Sequence, residues 1–153
     1  MVKILVKFFA VFLMVFLAGC AADFDKKSNE ILIDNGQNII KINIEIADDS
    51  KEMAKGMMFR EMLEENSGML FVSGEEDNQI FWMKNTLIPL DMIFINKNME
   101  IVDIKNAVPC SEEPCELYKS SKPAKYVLEV NSGFTAKKGI RTGNHIAKLE
   151  IVP

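Results

Sequence analysis

Residues 81–95 read Phe-Trp-Met-Lys-Asn-Thr-Leu-Ile-Pro-Leu-Asp-Met-Ile-Phe-Ile, and much of the chain's chemical capability falls in or near that block. Trp82, the sole tryptophan, stands beside Lys84, Asn85 and Thr86. An indole face flanked by such groups could stack on a sugar ring and hydrogen-bond its hydroxyls. The plainer reading is a core Trp next to a turn whose polar groups satisfy backbone. Asp91 heads an apolar run, where an unpaired charge would be costly, so it needs a partner. Arg60, at the end of Gly56-Met57-Met58-Phe59-Arg60, is the candidate. Arg60, Lys84, Asp91 and Glu129 then form one polar cluster. As structure they are counter-ions; as chemistry, Asp91 and Glu129 would be an acid/base pair suited to glycoside hydrolysis, which needs carboxylates about 5–9 Å apart.

Other chemistries lack their residues. His145 is the single histidine, so neither a histidine metal centre nor a histidine pair is available, and no nucleophile or acid adjoins it in sequence. Phosphate loops, EF-type calcium loops and zinc signatures are absent. No metal, cofactor or catalytic residue is expected. The 10 methionines raise the question of Cu(I), which soft thioethers bind. They are scattered among Phe, Leu and Ile with no Met-x-x-Met cluster near a histidine, so core packing is the expectation. A formal charge of −4 speaks against nucleic acid as partner. With 48% hydrophobic residues the chain is too apolar to be disordered.

Residues 1–19 have the composition of a signal peptide: Lys3 and Lys7, then an apolar run from Phe8 to Ala18 that is too short to span a bilayer comfortably. Leu17-Ala18-Gly19-Cys20 resembles a bacterial lipobox, in which Cys20 receives diacylglycerol before cleavage. Two or three acyl chains would anchor the chain to a membrane. Residues 20–30 read as a tether, and 31–153 as a single domain. The expected location is the cell envelope, at a membrane surface. Export changes the meaning of Cys110 and Cys115, whose spacing fits neither a thioredoxin-like pair nor a zinc site. A disulfide closing this small loop is expected, worth about 2 kcal/mol in the chain-entropy model.

The elements that must position these groups are mainly β. Ile40, Ile42, Ile44 and Ile46 alternate with polar residues, the period of a strand with one buried face. Asn35-Gly36 would join it to Glu30–Ile33 as a hairpin. Asp49 and Glu52 form a candidate capping box for one short helix near 50–57, weakened or ended by Gly56. Apolar runs at 69–72 and 79–84 follow. Segments 91–95 and 99–105 flank an Asn96-Lys97-Asn98 turn, and strands are expected at 126–130 and 145–152. About 6–8 short strands with one helix predict a β sandwich or barrel.

The blocks Gly56 to Arg60, Gly68-Met69-Leu70-Phe71, Phe81 to Ile95, Pro109-Cys110 with Pro114-Cys115 and Tyr118, Tyr126 to Val130, and Gly133, Gly139-Ile140 and Gly143 resemble one known family. It is the family catalogued as domain of unknown function 192, and the resemblance runs over roughly residues 38–152. It implies a small, mainly β domain, secreted or envelope-attached, with no catalytic assignment to carry over. Members often have Asp after the last glycine, where this chain has Asn144.

Together these expectations describe a lipid-anchored envelope domain that binds a small molecule, a carbohydrate by preference, or a partner. Its candidate site is Arg60, Trp82, Lys84, Asn85, Thr86, Asp91 and Glu129. The rivals are a glycan-acting enzyme using Asp91 and Glu129, and an assembly lipoprotein that pairs through an exposed strand edge.

Overall fold

The computed structural model describes residues 29–151; the signal-peptide segment and Cys20 lie outside them. In chain order the elements are β1 (Glu30–Asp34), β2 (Ile39–Ala47), α1 (Ser50–Lys55), β3 (Ser67–Asp77), β4 (Ile80–Trp82), β5 (Leu90–Ile95), β6 (Ile101–Ala107), β7 (Leu117–Lys119), β8 (Ala124–Asn131), α2 (Phe134–Lys138) and β9 (His145–Glu150). Seven strands form one sheet in the order β6-β5-β8-β3-β2-β1-β9, and β4 pairs with β7 in a small second sheet. The seven-stranded sheet curls into a half-barrel. At one end its outer strands touch: Glu100 bridges His145, Ile101 N–H donates to the Asn144 carbonyl at 2.9 Å, and Ile146 N–H donates to the Met99 carbonyl at 2.8 Å.

Several elements follow directly from the residues. The buried isoleucines of β2 alternate with exposed polar residues, Ile40, Ile42 and Ile44 facing in and Lys41, Asn43 and Glu45 facing out. The Asp49 carboxylate accepts hydrogen bonds from the Lys51 and Glu52 amides and so starts α1, while Gly56 ends it. This helix carries the chain from β2 to β3, the one parallel pair in the large sheet among the described residues. Two features go beyond the expectations. The described residues hold nine strands: β4 falls within the expected run 79–84, whereas the three-residue β7 is too short to show a period. A second helix, α2, follows Gly133, with only five residues to display its repeat.

Both faces of the sheet are covered. One hydrophobic cluster takes residues from all seven strands, among them Ile33, Ile42, Leu70, Ile93, Ile101 and Ile146, together with Phe134 of α2, and fills the inside of the curl. A second cluster contains Met57, Phe71, Met83, Met92, Phe94 and Tyr118, and lies between the outer face and the layer made by α1, its following loop and the small sheet. β5 is buried along its whole length because its alternate residues feed the two clusters. Gly68 permits the close approach of β3 to β8, since a Cβ there would sit 2.6 Å from the Glu129 carbonyl oxygen. Among the described residues no helix is long and apolar enough to cross a membrane.

Candidate functional site

Asp91 and Glu129 are both buried acids in neighbouring strands, but strand parity sends them to opposite faces. The register pairs Asp91 with Val130 and Met92 with Glu129. Asp91 therefore shares a face with Ile93 and Ile95, inside the curl, and Glu129 shares one with Val127, on the outer face. The two carboxyls do not face a common cleft, so they cannot act together as a glycosidase pair.

Asp91 is completely buried and fully engaged. Its carboxylate accepts hydrogen bonds from the Thr135 hydroxyl at 2.6 Å, the Thr135 amide at 2.9 Å, the Gly133 amide at 3.1 Å and Asn106 Nδ2 at 2.5 Å. Gly133, which precedes α2 in a left-handed conformation, has no side chain to cap it. The strand carboxylate supplies the missing acceptor from across the fold and favours the helix N-terminus electrostatically. The expected Arg60–Asp91 pair does not form. Arg60 instead makes a bidentate contact with Glu45, both N–O distances being 2.5 Å. Asp91 needs no cation because four donors already satisfy it.

Glu129 is 4% exposed, and its cross-strand neighbours are Met69 and Met92. Among the described residues no donor or cation reaches its carboxyl. Burial alone pushes its pKa up to about 8. No side-chain oxygen or nitrogen that is sealed from solvent lacks a partner among the described residues. The unpartnered Glu129 carboxyl must therefore open on the cavity it lines. That cavity, of about 40 Å³, is walled by Met53, Met57, Met58, Phe71, Phe81 and Trp82, with Lys55, Lys84 and Thr86 also lining it.

Two strained loops shape the mouth. Gly56 has φ 44° and a Cβ at this position would lie 3.1 Å from the Phe71 ring, so the turn after α1 needs glycine. Phe59 and Asn85 both have positive φ, 63° and 57°, and the Phe59 amide donates to the Asn85 carbonyl at 2.8 Å. Asn tolerates that conformation; an aromatic residue does so at a cost, and such outliers gather at functional sites. Asn85 Nδ2 also points to the Met58 sulfur at 3.9 Å.

Of the expected site residues, Trp82, Lys84, Thr86 and Glu129 meet at this cavity. Asn85 lies at its edge, while Arg60 and Asp91 are engaged elsewhere. Lys84 Nζ sits 5.6 Å from the Trp82 ring centroid and pairs with Glu113 at 2.5 Å. Glu113 belongs to the loop closed by the Cys110–Cys115 disulfide, so the cross-link clamps the segment that meets Lys84. Sequence reasoning missed Met53, Met57, Met58, Phe71 and Phe81 as cavity walls. The Gly56 to Arg60 block is visible in the sequence, but nothing in it says which way its methionines turn. Asn144, in place of the family's Asp, is buried and accepts a hydrogen bond from the Arg141 amide at 2.8 Å, a turn-closing role.

A larger groove of about 600 Å³ runs past Asn38, Asn43, Asn66, Lys41 and Lys137. Two of its three lysines are ion-paired, Lys41 with Glu30 and Lys137 with Glu65, and the third, Lys138, lies over the Phe134 ring. Its buried Asn35 accepts from the Gln37 and Asn38 amides and donates to the Lys138 carbonyl. Its buried polar group is thus satisfied, whereas the Glu129 cavity holds one that is not.

No curated protein matches the chain. A crystal structure from Sinorhizobium meliloti 1021, of a protein provisionally described as a transcription regulator, is 35% identical with a TM-score of 0.73, covering 80% of this chain and 92% of that one. A protein of unknown function from Novosphingobium aromaticivorans DSM 12444 is 34% identical with a TM-score of 0.72, covering 78% and 84%. The family model DUF192, described as Uncharacterized ACR, COG1430, matches residues 31–148. The chain belongs to the DUF192 family.

Proposed function

We propose that this protein is a lipid-anchored domain of the cell envelope that binds a small ligand at the Glu129 cavity and catalyses no reaction. The observation that carries the binding site is the buried Glu129 carboxyl, unpartnered among the described residues, which opens on a cavity between two strained loops. Retaining such a group costs stability, and sites of this kind are where function is commonly found. Anchoring rests on the Leu17-Ala18-Gly19-Cys20 motif behind an apolar leader. The Cys110–Cys115 disulfide suits an oxidising compartment.

The geometry narrows the ligand. A sugar ring needs far more room than about 40 Å³, and Lys84 already lies over the Trp82 ring. A glycan-acting enzyme would need a second carboxyl facing the cavity, and Glu129 is the only acid that lines it. Pairing through a bare strand edge is also poorly served, since β6 and β9 meet at one end.

A thermal-shift screen of the full chain in detergent, using monosaccharides, cell-wall fragments, small amines and metal ions, tests the binding site. At least one class is expected to raise the melting temperature, with the effect lost in Glu129→Gln. A ligand that stabilises wild type and Glu129→Gln equally would overturn this location. Mass spectrometry of the protein from cells tests the anchor: an acylated Cys20 at the N-terminus is expected, and an unacylated chain that retains residues 1–19 refutes it.

A further inference from the structure

The donor set around Glu129 is unusual for a buried acid. Met53, Met57 and Met58 line the same cavity of about 40 Å³ as its carboxyl. Met69 and Met92 are its direct partners on the two adjacent strands, on the same face. Three thioether side chains therefore line the cavity with the carboxyl and two more flank Glu129 across the strands, although in sequence they are spread from residue 53 to residue 92. From these observations we infer that the cavity is a binding site for a soft monovalent metal ion, Cu(I), held by thioether sulfurs, with Glu129 releasing its proton to solvent as the ion binds and so supplying the balancing charge. The inference rests on the binding site proposed above and names its ligand class.

Size, charge and softness each favour this class. A cavity this small suits a bare ion better than most organic ligands. One carboxylate neutralises one positive charge, so a divalent ion would leave an excess charge against a mostly apolar wall. The oxygen ligands that calcium or magnesium require are missing, because Glu129 and Thr86 supply the only side-chain oxygens on the wall. Thioethers select Cu(I) among the common metals. Of the two lysines on the wall, Lys84 is paired with Glu113, and Lys55 is exposed to solvent.

The test is an anaerobic titration of the full chain in detergent with Cu(I) against a chromogenic Cu(I) chelator, with the Cys110–Cys115 disulfide verified intact by thiol assay. Wild type is expected to withdraw one equivalent of Cu(I) and to quench Trp82 fluorescence as it does so. Met57→Leu, Met58→Leu and Glu129→Gln are each expected to weaken binding by about tenfold or more. Met62→Leu, whose side chain is 81% exposed, is expected to leave it unchanged. Thermal melts show that each variant is folded, and Ag(I) quenching of Trp82 gives a second readout free of copper redox chemistry. Failure of wild type to compete, or competition that survives all three cavity variants, would overturn the inference. If methylammonium chloride, titrated in parallel, binds in a Glu129-dependent way while Cu(I) does not, the metal is refuted and the binding site stands.

Discussion

Asp91 and Glu129 sit one register position apart on neighbouring strands of one sheet, both buried, both acidic. On the inner face Asp91 has four donors and closes the start of α2. On the outer face Glu129 has none among the described residues, and a methionine-lined cavity stands where donors would be. The difference separates a carboxylate that holds the fold together from one that the fold must tolerate. Stability should respond to the two with opposite signs.

The largest effect belongs to Asp91. Asp91→Ala strands the Thr135, Gly133 and Asn106 donors, and should cost about 3–5 kcal/mol in urea denaturation. A loss below about 1 kcal/mol would break the comparison by showing that those bonds are dispensable. Next comes Glu129→Gln. A carboxyl whose pKa rises from 4.5 to about 8 on folding is protonated in both states at pH 4 and ionises only when unfolded at intermediate pH. The native state then binds more protons, so stability falls as pH rises from about 4.5 to 8 and levels off above. Lys55 and Lys84 are the charged groups that share its cavity. At pH 8 the glutamine variant should be more stable than wild type by on the order of 4 kcal/mol, and the gain should vanish at pH 4. A gain independent of pH would refute burial of the charge as its cause.

Smaller effects sharpen the outer-face half. Gly56→Ala places a Cβ against Phe71 in a backbone conformation that suits glycine, and should cost about 1–3 kcal/mol by thermal melt. The same variant should weaken any ligand that requires the cavity walls. Arg60→Met should cost less than about 1 kcal/mol, since its partner Glu45 is half exposed and the pair is screened by salt. A larger loss would mean that Arg60 supports more than Glu45.

What the sequence makes legible follows from how local each signal is. The alternating isoleucines of β2, the Asp49 cap of α1 and the turn between β5 and β6 are written within a few residues, and they appear where expected. The short strand β7 and the helix α2 are not, because so few residues show no period. Trp82, Lys84, Thr86 and Glu129 stand out by type, and they do meet. Grouping Asp91 with them fails for a physical reason: face is decided by register between strands 38 residues apart in sequence, and one step of register reverses it. Pairing Arg60 with Asp91 fails because backbone amides and a threonine hydroxyl, which carry no sequence mark of their role, already satisfy the acid.

The central claim is that Glu129 lies buried without a partner on the outer face. A pH titration of the protein's glutamate side-chain carboxyls by 13C NMR tests it most directly. One resonance should titrate with a midpoint near 8, and it should be missing from Glu129→Gln. If every glutamate carboxyl titrates in the ordinary range near 4.5, Glu129 has found water or a partner, and the account is contradicted.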